Sequence, residues 1–280
     1  MASAPTLKRP SVLPGFALTL SYTLIYLTLI VLIPLSALVL KASALGPGGI
    51  WAVAMQPRVL AALKITFGMS LLAAAIDVVF GGMIAWTVSR YRFPGRRFLD
   101  AMVDLPFALP TAVAGIALAA LYSPNGWFGA PLASLGVKIA FTRWGILIAL
   151  IFVGLPFVVR TVQPLIEELE RESEEVSATL GATRRQTLWR VALPPLIPTL
   201  LTGFALAFAR GVGEYGSVIF IAGNIAYVSE IAPLLIVVKL EEYDYVGATA
   251  IAAILLAISF LMLFVINQLQ AWSGRKLGHV

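Results

Sequence analysis

Arg210 and Glu214 stand four residues apart inside an otherwise apolar run of the 280-residue chain, in the stretch Phe208-Ala-Arg-Gly-Val-Gly-Glu-Tyr-Gly216. Residues spaced this way share one helix face, so the two charges can pair. A charge at bilayer depth is costly and faces a protein interior or water. Gly211, Gly213 and Gly216 weaken a helix and permit it to break, and broken helices at mid-membrane line substrate pathways. Two readings stand side by side. Arg210, Gly213, Glu214 and Tyr215 form a pathway or gate in which Arg210 favours an anion, or Arg210 and Glu214 are a structural pair locking one helix to another. Pro106 and Pro110, in Leu105-Pro-Phe-Ala-Leu-Pro-Thr-Ala-Val-Ala-Gly115, each remove a backbone hydrogen bond and mark a constriction or a tolerated kink. Asp77 falls in the middle of another apolar run, where it reads as a buried carboxylate hydrogen-bonded to a neighbouring helix.

Catalytic chemistry finds little material. There are no cysteines, and the single histidine, His279, lies in the C-terminal tail. A metal site, a thiol nucleophile and histidine acid–base work are therefore not expected. No G-x4-G-K-[ST] phosphate loop occurs, so this chain is not expected to hydrolyse ATP.

A second constellation spans Glu175–Pro194, EVSATLGATRRQTLWRVALP. Leu165, Ile166, Leu169 and Val176 make a short apolar stripe at near-helical spacing, with glutamates covering the rest. Gly181 supplies a position that accepts positive φ, where a helix can stop. Thr183 with Gln186 three residues later reads as a capping box that starts a new helix. The expectation is helix, glycine corner, helix: a knob that projects from the membrane and fits a socket.

The elements that must position these residues are membrane helices. The chain is 60% hydrophobic and 12% charged, with mean hydropathy +0.93, against about 25% charged residues in soluble domains. A spanning helix needs about 20 mostly apolar residues. Six such runs are read at 16–40, 65–88, 101–122, 144–159, 191–222 and 246–267. The patch Ile231–Val238 is too short to cross and reads as re-entrant or interfacial. The first run is longer than the apolar core of a signal peptide, about 7–15 residues, so it is read as a retained span. Ser123-Pro-Asn-Gly-Trp127 is a turn signal, and Glu241–Tyr245 is an acidic, aromatic loop.

Six spans put both termini on one side. Lysines and arginines at 8–9, 90–97, 160, 171–190 and 275–276 fall on that side, thirteen against six on the other. The positive-inside rule makes that side cytoplasmic and puts the 163–194 segment there. The net charge of +6 reflects this topology and anionic lipid. It is scattered over short segments and is no nucleic-acid signal.

The spacing E-A-A-x3-G-x9-I-x-L-P is met by Glu175, Gly181, Val191, Leu193 and Pro194, with Val176 and Ser177 replacing the alanines. It resembles the loop by which permease subunits of bacterial ABC importers dock on their ATPase. Together with Leu105–Gly115, Ser123–Gly129 and Phe208–Asn224 (FARGVGEYGSVIFIAGN), the chain resembles the T-type subunit of sulfate/thiosulfate ABC permeases. The molybdate/tungstate permeases are the alternative within the class, and Gly216–Asn224 favours sulfate over them. An ion-coupled secondary anion transporter using Asp77 and Glu214 is the alternative outside it, but no internal repeat is seen.

The resemblance implies an all-α polytopic type I importer permease with six transmembrane helices. Residues 1–60 would hold the cytoplasmic N-terminus, first span and outer loop, 61–267 the permease core, and 268–280 a cytoplasmic tail. It implies a homologous W-type permease subunit around which the first span packs, two copies of a cytoplasmic ATPase carrying ATP and Mg, and a periplasmic sulfate-binding protein. It assigns Glu175, Ser177, Gly181, Ala182, Leu193 and Pro194 to the ATPase-coupling loop. This chain would itself be no enzyme and hold no cofactor.

Overall fold

The computed structural model describes residues 15–169 and 171–276, with side chains at 15–169 and 172–272. Lys8, Arg9, Glu170 and His279, and the side chains of Arg171, Arg275 and Lys276, lie outside the described residues. Every regular element among them is a helix: α1 (Phe16–Ser43), α2 (Gly46–Ala54), α3 (Pro57–Arg90), α4 (Arg96–Val103), α5 (Leu105–Ala108), α6 (Thr111–Tyr122), α7 (Gly129–Ser134), α8 (Arg143–Glu168), α9 (Arg171–Thr179), α10 (Arg184–Val212), α11 (Val218–Ile221), α12 (Ala232–Glu241) and α13 (Tyr245–Lys276).

Among the described residues, five helices are long and apolar enough to span a bilayer: α1, α3, α8, α10 and Tyr245–Trp272 of α13. The third expected span is not one helix. Asp104 and the Leu109–Pro110 step divide it into α4, α5 and α6. Pro106 sits in the first turn of α5, where its missing N–H costs nothing, and extended Leu109 precedes Pro110, the N-cap of α6. A residue before proline is pushed out of helical geometry. The fifth expected span also stops early. α10 ends at Val212 rather than running to residue 222, because Gly213, Glu214, Tyr215 and Gly216 leave the helix and only four residues, α11, resume it.

The core is built by α3, α8 and α10. Phe208 of α10 is fully buried, its ring 6.3 Å from those of Phe67 and Phe204. Val158, Val159 and Ile166 of α8 fill the same cluster. Glycines set the spacing. A Cβ at Gly81 or Gly203 would meet Val158 at 3.1 Å, so three backbones approach closely there. A second cluster joins the start of α3 to α12 and α13 through Val59, Leu235 and Ile251. Hydrogen bonds mark several helix starts. The Thr142 hydroxyl accepts from Trp144 N–H at 3.2 Å for α8. Asp244 accepts from Gly247 N–H at 2.8 Å for α13. That N–H, and Lys239 beside it, hold the Asp244 carboxyl below the usual carboxylate range. The apolar window of α1, by contrast, has no buried residue in the isolated chain.

One contact ties the two interrupted segments together. A Cβ on Gly115 of α6 would lie 2.3 Å from the Ser217 carbonyl oxygen, and one on Gly216 would lie 2.2 Å from the Thr111 hydroxyl. Gly115→Ala must therefore push α6 off the 213–217 loop, at a cost of about 1–3 kcal/mol for overpacking. The expected result is a lower melting temperature and lower yield of the purified membrane complex. Wild-type values would show that the two segments are not packed this closely.

Candidate functional site: an interrupted helix and an exposed knob

The first site forms where α10 ends. Glu214 is 1% exposed, and a buried charge must be paired and hydrogen-bonded to be tolerated. It is. The Arg210 guanidinium lies 2.5 Å from Oε2, while Oε1 accepts from the Ser217 N–H and hydroxyl, each at 2.9 Å. The carboxylate thus caps the chain as it leaves the helix, much as an N-cap side chain does for the next one. Arg210 is not buried to the same extent. A third of its side chain is exposed, so it faces Glu214 and an open surface at once. Gly213 is exposed, and a Cβ there would find its nearest neighbour at 3.9 Å. Tyr215 is half-buried against the cluster around Ile146 and Ile221.

Pro110 is brought to the same place. α6 begins at Thr111, directly against Gly216, so the Leu109–Pro110 break and the Gly213–Gly216 break lie back to back. Pro106 is set off from them on α5. This start of the third span is pinned to α8 by Arg160, whose Nε and Nη2 donate to the Asp104 carboxylate at 2.7 and 2.6 Å while Nη1 donates to Asp100 at 2.6 Å.

The second site is the knob. Helix α9 ends in a Schellman arrangement: Ala182 N–H donates to the Ser177 carbonyl and Gly181 N–H to the Ala178 carbonyl, each at 3.0 Å, with Gly181 at φ +83°. The capping box is present, Gln186 Oε1 accepting from Thr183 N–H at 2.8 Å and Thr183 Oγ1 from Gln186 N–H at 3.4 Å. Ser177 adds a bond across the corner, its hydroxyl 2.8 Å from that of Thr187. An alanine at 177 cannot make this bond. Leu193 and Pro194 open the straight part of α10 after a π-helical turn at Leu188–Ala192. Glu175, Val176, Leu180 and Gly181 are exposed. Val176 is therefore not continuous with Leu165, Ile166 and Leu169. α8 stops at Glu168 with Leu169 extended, and α9 starts afresh. Ile166 faces the core and Val176 faces outward at 56% exposure.

Asp77 is buried in α3 at 1% exposure. The expected hydrogen bond to a neighbouring helix is not there: neither carboxyl oxygen has a partner. Oδ2 presses on Gly154 of α8, where an added Cβ would lie 2.3 Å away. Three long-range pairs had no sequence signal. Besides Arg160 with Asp100 and Asp104, Arg58 donates to buried Glu230 twice, at 2.9 and 2.7 Å, and Arg90 lies 2.8 Å from Glu174. Their partners are far apart in the chain, so no local spacing announces them. Among the described residues no cluster of metal-ligating side chains occurs.

Residues 77–279 match the family described as binding-protein-dependent transport system inner membrane component. The chain is 56% identical to the sulfate transport system permease protein CysT of Synechococcus elongatus, covering 92% of each chain. It is 52% identical to the protein of that name from Escherichia coli, over 96% of this chain and 97% of that one. Among solved structures it resembles a bacterial ABC transporter involved in import of the acidic polysaccharide alginate (TM-score 0.74, 17% identity, 90% of this chain and 93% of that one). It also resembles the MetNI methionine ABC transporter (TM-score 0.59, 18% identity, 78% and 97%). These two show the fold.

The corner yields a test. Nothing lies within 4 Å of a Cβ built on Gly181, so substitution there acts through the backbone alone. Gly181→Val should strain the left-handed position by about 1–2 kcal/mol and loosen the knob, whereas Gly181→Asn, which tolerates positive φ, should not. Co-purification of the ATPase partner expected from the docking-loop resemblance should fall for the valine variant and persist for the asparagine variant. Equal retention in both would show that the corner geometry is dispensable.

Proposed function

We propose a working cycle for this chain, which belongs to the binding-protein-dependent transport system inner membrane components and, within them, to the sulfate transport system permeases. It is a membrane-spanning subunit of an ATP-driven importer. It is not catalytic by itself, and its substrate is sulfate or thiosulfate. Kinship with sulfate permeases along nearly the whole chain carries this reading over molybdate and tungstate.

The remaining parts follow from the resemblance to importer permeases. A second, homologous permease subunit of the W type completes the pathway, and the unburied face of α1 is suited to pack on it. Two ATPase subunits, which hold the ATP and Mg, seat on the exposed faces of α9 in this chain and its equivalent in the other. A periplasmic sulfate-binding protein delivers the anion. The arginine bias puts both termini and the knob in the cytoplasm. ATP closes the ATPase dimer, α9 carries that movement inward, and the cavity between the permease subunits opens outward and then inward after hydrolysis. The interrupted segments around Pro110 and Gly213–Tyr215 line that cavity. Arg210, partly exposed although paired with Glu214, offers the passing divalent anion a cation whose field is largely neutralised, so it does not hold the anion tightly.

Proteoliposomes containing the assembled complex test the substrate. Binding-protein-dependent uptake of labelled sulfate should require ATP on the cytoplasmic side and yield to excess thiosulfate more than to molybdate. Uptake by this chain alone without ATP would contradict the reading.

Two sets of variants probe the residues. Arg210→Gln leaves Glu214 buried and unpaired, which costs about 3–5 kcal/mol when one partner of a buried pair is removed. Arg210→Gln with Glu214→Gln removes that penalty. If Arg210 serves the anion, the double variant should assemble normally and still lose uptake; recovered uptake would leave only a structural pair. For orientation, single cysteines at Trp127 and Glu241 should react with an impermeant thiol reagent from the outer face. Reaction only from the cytoplasmic face would invert the topology.

A further inference from the structure

Helix α9 has to move a membrane span, yet a short exposed helix on a loop can swing without moving anything. What ties it down is Arg90. This is the last residue of α3, 10% exposed at its side chain, and its Nη2 lies 2.8 Å from Glu174 Oε1 on α9. The two atoms are paired by charge and distance, neither of them in hydrogen-bond geometry, so the link is electrostatic. The guanidinium also stands over the Trp86 ring, one turn earlier, 5.4 Å from its centroid, a contact that favours cations. Among the described residues it is the ion pair that joins the knob to a spanning helix.

The two ends of this link are well anchored. On the knob, the Glu174 carbonyl accepts from the Ser177 hydroxyl at 2.8 Å, and that same hydroxyl bonds to Thr187 across the corner. Glu174 therefore reports the position of the whole helix–corner–helix unit. On the membrane side, α3 packs most extensively against α8 and then α10. Through its glycine and small-residue contacts it touches both at close range, with Gly81 on Val158 and Ser70 on Gly211. Gly211 is one residue inside the end of α10, next to the Glu214 break.

We propose that Arg90 is a positioning residue of the transport cycle: it couples α9 to α3, so that movement of the knob is delivered to α3 and, through Ser70 on Gly211, to the interrupted end of α10. Without the pair, the knob still docks, but its movement is spent in the loop. The inference rests on the reading above that α9 seats on the ATPase. It adds which residue hands the movement on.

The test uses the full complex in proteoliposomes, with Arg90→Glu, Glu174→Arg and the reciprocal double change. Two ratios are measured: hydrolysis stimulated by the binding protein over basal hydrolysis, and sulfate taken up per ATP hydrolysed. Each single variant should assemble, keep basal hydrolysis, and lose about fivefold in both ratios, a coupling within the range seen for contacting pairs. The double variant should recover most of that loss. Arg90→Gln, which keeps bulk without charge, should behave like Arg90→Glu, and Arg90→Lys should retain part of the coupling. Wild-type ratios in both single variants would overturn the proposal, as would a double variant as uncoupled as the worse single. The stimulated-to-basal ratio reads the coupling whichever anion is carried. Failure of wild-type sulfate uptake with intact stimulation would therefore count against the substrate and not against Arg90.

Discussion

A carboxylate shut away from water inside a membrane protein has to be satisfied completely, and Glu214 organises its surroundings around that demand. It needs Arg210 on the preceding turn and the Ser217 N–H and hydroxyl on the following one. A continuous helix would not present the Ser217 N–H to it, because that group would be bonded four residues back. The break in α10 and the burial of Glu214 therefore require each other. Gly213 and Gly216 weaken the helix there, Gly216 leaves room for Thr111, and Gly115 lets α6 settle on the buried backbone of Ser217. Polar backbone at this depth is tolerated only where protein or a water-lined cavity covers it. Here α6 and the cluster around Ile146 and Ile221 provide the cover on one side.

The consequence is a mechanically stratified molecule. α3, α8 and α10 form a close-packed unit whose spacing is set by glycines meeting Val158. Such packing transmits displacement because it has little slack. At one end of that unit lies the interrupted segment with a partly exposed arginine. At the other lies a corner that is rigid within itself, through its capping box and Schellman turn, and exposed to whatever seats on it. Energy from a partner can enter at the knob and act on the break without this chain possessing any catalytic group.

Local features were legible in the sequence. The corner at Gly181 and the capping box at Thr183 and Gln186 depend on residues within six positions of one another, and the glycines around Glu214 announced a weak helix. The fold class followed from run lengths and charge. Span boundaries were less legible. Hydropathy continues across Pro110 and across Gly213–Gly216, so an apolar run cannot say that a helix has stopped within it. Long-range pairs were not legible at all. Arg58 with Glu230, Arg90 with Glu174, and Arg160 with Asp104 join residues 172, 84 and 56 positions apart, so no local spacing points from one charge to its partner. Asp77 misled in a different way. A hydrogen bond was the natural expectation for a buried carboxyl, but the space beside it is filled by the Gly154 backbone.

The central claim is that the break at Glu214 lines a pathway whose two faces open in turn. A cysteine at Gly213 measures this directly, since the chain has no other thiol and the position is exposed with room for a side chain. Its modification by an impermeant thiol reagent can be timed from each face of the membrane, with and without trapped ATP on the assembled complex. The account predicts faster modification from the outer face in the ATP-trapped state and from the cytoplasmic face in its absence. Rates that are the same in both states from both faces would contradict it.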